Sequence, residues 1–425
     1  MKGVLLKILL LALSLFPCQE GLAQNQALST TDLLKALIRI NTTNPPGDET
    51  RAMTWVRNYL QEFGISAKII ESAPGRGNLI ARLKGSGEKP PLLLLAHLDV
   101  VMAEPQEWKF PPFEPTESEG YLYGRGAIDM KGQAALMINA FVKLHLKKVP
   151  LVGDVLLVLV ADEESGGKYG AGYLTENHWK EIKPGVVLNE GSIAIQMYGL
   201  NLYPIQVAEK GVAWLEVKTE GTSGHGSMPI PDNASLKLIR ALNKITKKPQ
   251  SLQKTAIVEE MLKRLAPHFS FPRSFLLKHL FDFPIRHLIP WLAPEKIQSD
   301  KILNAMLRNT VVPTVLQAGT KTNVIPSQAR AEVDCRILPG ETPEKFRKKI
   351  VGMIDDPQVQ VRLTTQSLPN ESDFNTPYFK ALEESILAVD PKAVVIPFIS
   401  PGATDNRFFR EKGIPAYGII PLLIT

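Results

Sequence analysis

Two stretches of this sequence, Leu92 to Ala96 and Val155 to Ala161, are apolar at every position, and ionisable residues follow each at once. His97 and Asp99 come after the first, and Asp162, Glu163 and Glu164 after the second. A strand with one wet face alternates polar and apolar residues, so a run without alternation belongs to a strand covered on both faces. Leu79 to Leu83 is a further short β-rich run, and Gly132 to Leu146 carries a helical pattern between the two continuous runs. Strand, helix and strand in that order predict an α/β sheet with helices over its faces. In open sheets of this kind sites form beyond the carboxyl ends of the strands, which is where the ionisable residues fall.

Near Gln206 the texture changes. Val212 to Thr219 and Ala329 to Ile337 alternate like half-buried strands, around the helix-patterned Leu236 to Ile245 and Ile257 to Leu265. Pro267, Pro272, Pro284, Pro290, Pro294 and Pro313 punctuate the stretch from Lys247 to Leu316 and predict short helices and loops there. After Pro357 a helix pattern, Tyr378 to Val389, and the apolar runs Val394 to Ile399 and Ala416 to Ile420 return to the first style. The expectation is one catalytic domain, 24–205 with 363–425, interrupted by an inserted α+β domain at 206–362.

Met1 to Ala23 has the form of a signal peptide, with Lys2 and Lys7, an apolar run from Ile8 to Phe16, and Gly21-Leu22-Ala23 at the cleavage positions. Export to the periplasm or the medium is the expectation. A retained anchor is the weaker alternative, because the apolar run falls short of the roughly 20 residues that span a bilayer. Lipidation at Cys18 is weaker still, since Leu15-Phe16-Pro17 precede it in place of small residues. Cleavage after Ala23 leaves Cys335 alone, which excludes an internal disulfide. No other segment is long and apolar enough to cross a membrane. The 49 Lys and Arg against 43 Asp and Glu are spread without a basic block, which argues against a nucleic-acid partner.

Taken singly, the polar clusters are ambiguous. In His97-Leu98-Asp99 the carboxylate can orient the imidazole toward a metal, yet a structural histidine fits as well. Asp129, at the end of the glycine-bearing Gly124 to Gly132 loop and ahead of a helix, can bridge two cations or simply cap the helix. Asp162-Glu163-Glu164 packs like charges at a strand end, which is costly without a cation or a proton, although a solvated acidic turn stays open. Glu190 follows the short run Val186 to Leu188. Together, His97, Asp129, Glu164 and Glu190 make an imidazole and carboxylate donor set that suits zinc, with cobalt or manganese as further candidates. Two adjacent divalent ions would bring a bridging water's pKa toward about 7, and Glu163 is then the carboxylate placed to take its proton.

The sequence resembles the dinuclear-zinc hydrolases that include aminoacylase, glutamate carboxypeptidase, carboxypeptidase S-like enzymes, acetylornithine deacetylase and succinyl-diaminopimelate desuccinylase. The match lies in Trp108-Lys109-Phe110-Pro111-Pro112-Phe113, the Gly124 to Gly132 motif, Glu163-Glu164, and Gly402-Ala403-Thr404-Asp405-Asn406-Arg407. The resemblance implies a catalytic domain with a mixed sheet flanked by helices and a lid or dimerisation insert, which leaves both a monomer and a homodimer open. It implies two Zn²⁺ per subunit, with Asp129 bridging, His97 and Glu190 on one ion, Glu164 on the other, Asp99 supporting His97, and Glu163 as acid and base. It further implies that His225 polarises the scissile carbonyl and that Asn323, Arg336 and Thr404 contact the substrate. Read alone, Arg336 would be a surface ion pair.

The function so implied is cleavage of a peptide or N-acyl amide bond next to a free carboxylate, with a small peptide or N-acyl amino acid as substrate. One departure matters. The family carries another metal-binding histidine downstream of Gly413 to Gly418, and no histidine follows His287 here. The readings are a chain that continues past Thr425, which is favoured, a weakly held second metal, or an impaired homologue that binds carboxylate ligands without turnover.

Overall fold

The computed structural model describes residues 26–282 and 301–424. The signal-peptide reading, Cys18, and Pro284, Pro290 and Pro294 lie outside the described residues. The chain divides into two compact units, one holding the residues up to Val207 with Ser372–Ile396 and those from Thr404 on, the other Ala208–Glu371 with Pro397–Ala403.

The first unit is built on a mixed sheet ordered Ala67–Glu71, Gly77–Leu83, Val155–Val160, Leu92–His97, Val186–Met197, Ala416–Ile424 and Leu200–Glu209. Leu92–His97 runs parallel to Val155–Val160 and to Val186–Met197, and Ala416–Ile424 is parallel to Val186–Met197. The two edges are antiparallel, through Gly77–Leu83 on one side and Leu200–Glu209 on the other. Every residue of Leu92–His97 and Val155–Val160 is buried, as their unbroken apolar character requires. The helix Lys131–Leu146 packs on Leu92–His97 and on the helix Thr30–Arg39. Its buried Lys131 donates from Nζ to the carbonyls of Leu37 (3.1 Å) and Ile40 (2.7 Å). A cation placed there satisfies the orphan acceptors that end a helix.

Val186–Met197 is longer than the run Val186 to Leu188 suggested, so Glu190 sits inside a strand. Its register with Ala416–Ile424 slips there: Asn189 faces Gly418 and the next pair is Ser192 with Ile419. Glu190 and Gly191 are thus left out of the ladder as a bulge, a device that re-aims a side chain. The bulge depends on glycine opposite it. A Cβ on Gly418 would lie 2.2 Å from the Glu190 carbonyl oxygen and 2.5 Å from Gln206 Oε1. Gly418→Ala should therefore cost about 1–3 kcal/mol of stability, the usual range for forced overpacking, read as a lowered melting midpoint; an unchanged midpoint would contradict this packing.

The second unit is an antiparallel sheet ordered Thr310–Ala318, Gln328–Ile337, Gly211–Glu220 and Val359–Ser367. Inward residues such as Leu215, Val217, Ala331 and Val333 form a core with Leu238, Ile245, Phe346 and Ile350 of the helices Ala234–Thr246 and Pro343–Ile354. Two details differ from the sequence reading. Thr310–Ala318 is a strand where loops and short helices were expected, and it accommodates Pro313 because it is an edge strand with a register shift between Pro313 and Val315. The boundary at 363 would cut Val359–Ser367, which pairs with Gly211–Glu220, so the chain returns to the first unit only at Ser372. Cys335 is buried and free, and burial pushes its thiol up to about 12. No helix among the described residues is long and apolar enough to cross a membrane.

Candidate functional site

Buried strands deliver the site residues to one place. His97 is the last residue of Leu92–His97, and Glu163 and Glu164 begin the turn that follows Val155–Val160. Asp129 ends the loop before Lys131–Leu146, and Glu190 comes from the bulge. The imidazole of His97 is the pivot. Its Nδ1 lies 3.0 Å from the Asp99 carbonyl oxygen and 3.2 Å from Asp99 Oδ1. Its Nε2 lies 3.0 Å from Asp129 Oδ1 and 3.7 Å from Glu190 Oε1. Donor atoms of His97, Asp129 and Glu164 fall within 4.8 Å of one another, as do those of His97, Glu163 and Glu190.

Asp99 organises this cluster from below. Its Oδ1 accepts from the Glu163 N–H and its Oδ2 from the Glu164 N–H, each at 3.1 Å, and Asn44 Nδ2 donates to Oδ2 at 2.8 Å. Asp99 is fully buried, and although burial opposes its charge, His97, Asn44 and the Glu164 amide hold its carboxyl below the usual range. An ionised carboxylate behind an imidazole fixes which ring nitrogen faces outward.

Glu163 and Glu164 are pushed the opposite way. Burial drives Glu163 well above the ordinary carboxylate range; His97 counteracts, while Glu190, Asp405 and Asp99 add to the rise. Glu164 is pushed up to about 7, first by burial and then by the Asp129 charge. For His97 burial favours the neutral ring, but Glu190, Asp129 and Asp99 outweigh it and raise the imidazole well above its usual value. Asp129, like Asp99, is lowered, chiefly by its hydrogen bond to His97.

Buried carboxyls crowded around one imidazole, with Glu163 and Glu164 raised first by burial and then by neighbouring charges, are a donor set that a divalent cation satisfies. A further unsatisfied acid is Asp405, which is buried with neither carboxyl oxygen hydrogen-bonded. The Gly402–Arg407 motif reaches the same neighbourhood through Asn406, whose Nδ2 donates to the Glu190 carbonyl (3.3 Å) and to Gln206 Oε1 (2.8 Å). Thr404 Oγ1 accepts from the Asn406 N–H at 3.2 Å.

His225, Asn323 and Arg336 belong to the second unit. His225 and Asn323 come together at a short ladder, Gly224–His225 with Val324–Ile325, where Asn323 Nδ2 is 3.5 Å from His225 Nε2. The His225 Nδ1 is 2.7 Å from Ser227 Oγ. The Arg336 fork is occupied by Asp334, through Nε to Oδ1 at 2.8 Å and Nη2 to Oδ2 at 3.1 Å, so the arrangement is the ion pair that the residue alone suggested.

Sequence reasoning assigned no role to Asn44, Glu49, Arg76, Asp162 or Asp405. Asp162 holds a left-handed backbone, φ 73°, immediately before Glu163. Its Oδ1 accepts from Arg76 Nη2 at 2.8 Å and from Asn44 Nδ2 at 3.3 Å, and its Oδ2 from the Tyr169 N–H at 2.9 Å. The only sequence signal was the turn-forming Asn44-Pro45-Pro46-Gly47.

The model of peptidase family M20/M25/M40 matches residues 93–423. The mouse N-fatty-acyl-amino acid synthase/hydrolase PM20D1 is 27% identical over 420 residues, 94% of this chain and 82% of that protein. Rat aminoacylase-1A is 27% identical over 404 residues, covering 92% and 86%. In structure the chain is similar to the M20 family metallo-carboxypeptidase Sso-CP2 of Sulfolobus solfataricus, with a TM-score of 0.67, 21% identity, and 92% and 91% of the two chains covered. The chain belongs to peptidase family M20/M25/M40 and is a metal-dependent amidohydrolase.

Proposed function

We propose that the protein is exported and hydrolyses the amide bond of an N-acyl amino acid or small peptide next to a free carboxylate, giving a carboxylic acid and an amine. The observation that carries this reading is the pair of overlapping donor groups sharing His97, one with Asp129 and Glu164 and the other with Glu163 and Glu190. In this proposal His97, Asp129, Glu164 and Glu190 hold two divalent cations, and zinc suits an imidazole and carboxylate set of this kind. When bound, such ions acidify water and polarise a carbonyl.

The chain's own residues do the rest. Asp99 keeps His97 in one tautomer and one orientation. Glu163 accepts the proton of the attacking water on a carboxylate oxygen and passes it to the leaving nitrogen. A carboxyl driven upward by burial and like charges suits both halves of that transfer. The second unit serves as lid or dimerisation domain, and His225, supplied across a homodimer, polarises the carbonyl while Asn323 grips the substrate's carboxylate. Arg336 joins that grip by exchanging Asp334 for the substrate, a swap that a forked guanidinium can make between two carboxylates. Thr404 borders the site from the Gly402–Arg407 motif. The names of the mouse and rat relatives favour N-acyl amino acids over longer peptides.

Zinc-loaded protein incubated with N-acyl amino acids and dipeptides should release free amino acids detectable by mass spectrometry. Methyl esters of the same substrates should be cleaved more slowly, since the free carboxylate is part of the recognition. Protein carrying two ions per chain that cleaves neither class would overturn the proposal.

A further inference from the structure

We infer that Arg76, acting with Asn44, is a positioning residue that sets Glu163 relative to His97. The inference rests on the reading of Glu163 as the base. Arg76 is buried, and its guanidinium meets four acceptors, three from the stretch 44–49 and one from Asp162. Nη1 donates to Asn44 Oδ1 (3.0 Å) and to the Pro46 carbonyl (2.7 Å); Nη2 donates to Asp162 Oδ1 (2.8 Å) and pairs with Glu49 Oε1 (3.1 Å). Gly47 makes this possible. At φ 77° it bends the chain over the guanidinium, and a Cβ there would sit 2.0 Å from Nη1.

Because Asn44 gives its oxygen to Arg76, its amide nitrogen must point the other way. That nitrogen donates to Asp99 Oδ2 and to Asp162 Oδ1. Asn44 therefore ties together the carboxylate under His97 and the carboxylate at the start of the Glu163 turn. Asp162 is held by three donors in a backbone conformation that few non-glycine residues adopt. With that residue fixed, the next two amides land one on each oxygen of Asp99. His97 and Glu163 are thereby registered on a single carboxylate, and Arg76 registers the turn to it.

Two buried carboxylates, Asp162 and Glu49, around one guanidinium are an expensive way to stabilise a fold, since apolar residues of similar volume often do as well. Their geometry has a use that stability does not explain. A displacement of about 1 Å in a reacting group can cost about 100-fold in rate. Lysine at position 76 keeps the charge but cannot serve four acceptors with a planar fork.

The test is a double-mutant cycle on the metal-loaded enzyme. Arg76→Lys is expected to fold, to retain the parental metal content, to leave KM within about two-fold, and to lower kcat by about 10- to 100-fold. In a Glu163→Gln background the same substitution is expected to cost little more, because residues acting through one group do not add. Losses that multiply in full, or a loss confined to metal content or KM, would overturn the inference and leave Arg76 a structural residue. Should Arg76→Lys not fold, Asn44→Ser takes its place in the same cycle with the same outcomes. Parental turnover by Glu163→Gln alone would instead defeat the reading of Glu163, a result distinct from either outcome for Arg76.

Discussion

Glu163→Gln should lower kcat by about 10²- to 10⁴-fold, the contribution of a general base, while the purified protein keeps the metal content of the parent. Glutamine preserves the shape of the side chain and its place in the turn, and it removes only the ability to take up a proton. The measurement separates two roles that the geometry alone leaves equivalent, since Glu163 and Glu164 each lie in a donor group with His97. They differ in their surroundings. Glu163 is the one that burial drives well above the usual carboxylate range, whereas Glu164 reaches about 7 with Asp129 as the charge beside it. A proton carrier is best placed where its own charge is least comfortable, and a metal ligand where another ligand stands next to it. If Glu163→Gln loses an ion in proportion to its activity, Glu163 is a ligand and the assignment of roles within the pair reverses. Parental kcat with parental metal content would remove Glu163 from the chemistry altogether.

The parts of this site that the sequence revealed are those bound to regular elements. Leu92 to Ala96 and Val155 to Ala161 announce buried strands by composition alone, and a buried strand implies that the polar residues at its end are there for a reason. His97, Asp99, Glu163 and Glu164 stand at those ends, and only their conjunction, not any one of them, points to a site. The supporting shell was not visible, because Asn44, Arg76 and Asp162 touch across 32, 86 and 118 positions, and no local periodicity encodes a contact of that range. Two strands were misjudged for a related reason. Val186–Met197 carries Asn189, Glu190 and Gly191 in its middle, which interrupt any apolar pattern, and Thr310–Ala318 carries a proline that normally ends one. In both cases tertiary pairing overrides the local signal: a bulge faces Gly418 in the first, and in the second Pro313 sits on an edge strand beside a register shift. Local rules fail most at Glu190 because a candidate ligand had to be turned out of the ladder there.

Stripping the metal should abolish turnover and should also change how stability depends on pH. In the metal-free protein Glu164 titrates near 7 against an ordinary value of 4.5, and Glu163 and Asp405 are displaced in the same direction. A folded state with raised carboxyl pKa values binds more protons than the unfolded chain. The stability these groups contribute is therefore present below the unfolded value near 4.5 and is lost as pH climbs through about 7. His97, also raised, works in the same sense, since its favourable charge disappears at higher pH. Metal binding needs the deprotonated ligands, so its contribution grows as pH rises. Melting midpoints of chelator-treated and zinc-reconstituted protein should accordingly converge near pH 5 and separate toward pH 8. Free zinc at about 1,000 times its Kd contributes about 4 kcal/mol, which at 2–4 °C per kcal/mol for units of this size is a gap on the order of 10 °C. Activity should return with zinc in the same titration that restores the midpoint. A gap that stays constant from pH 5 to pH 8, or that narrows, would mean that the carboxylate cluster around His97 is not where the ions bind.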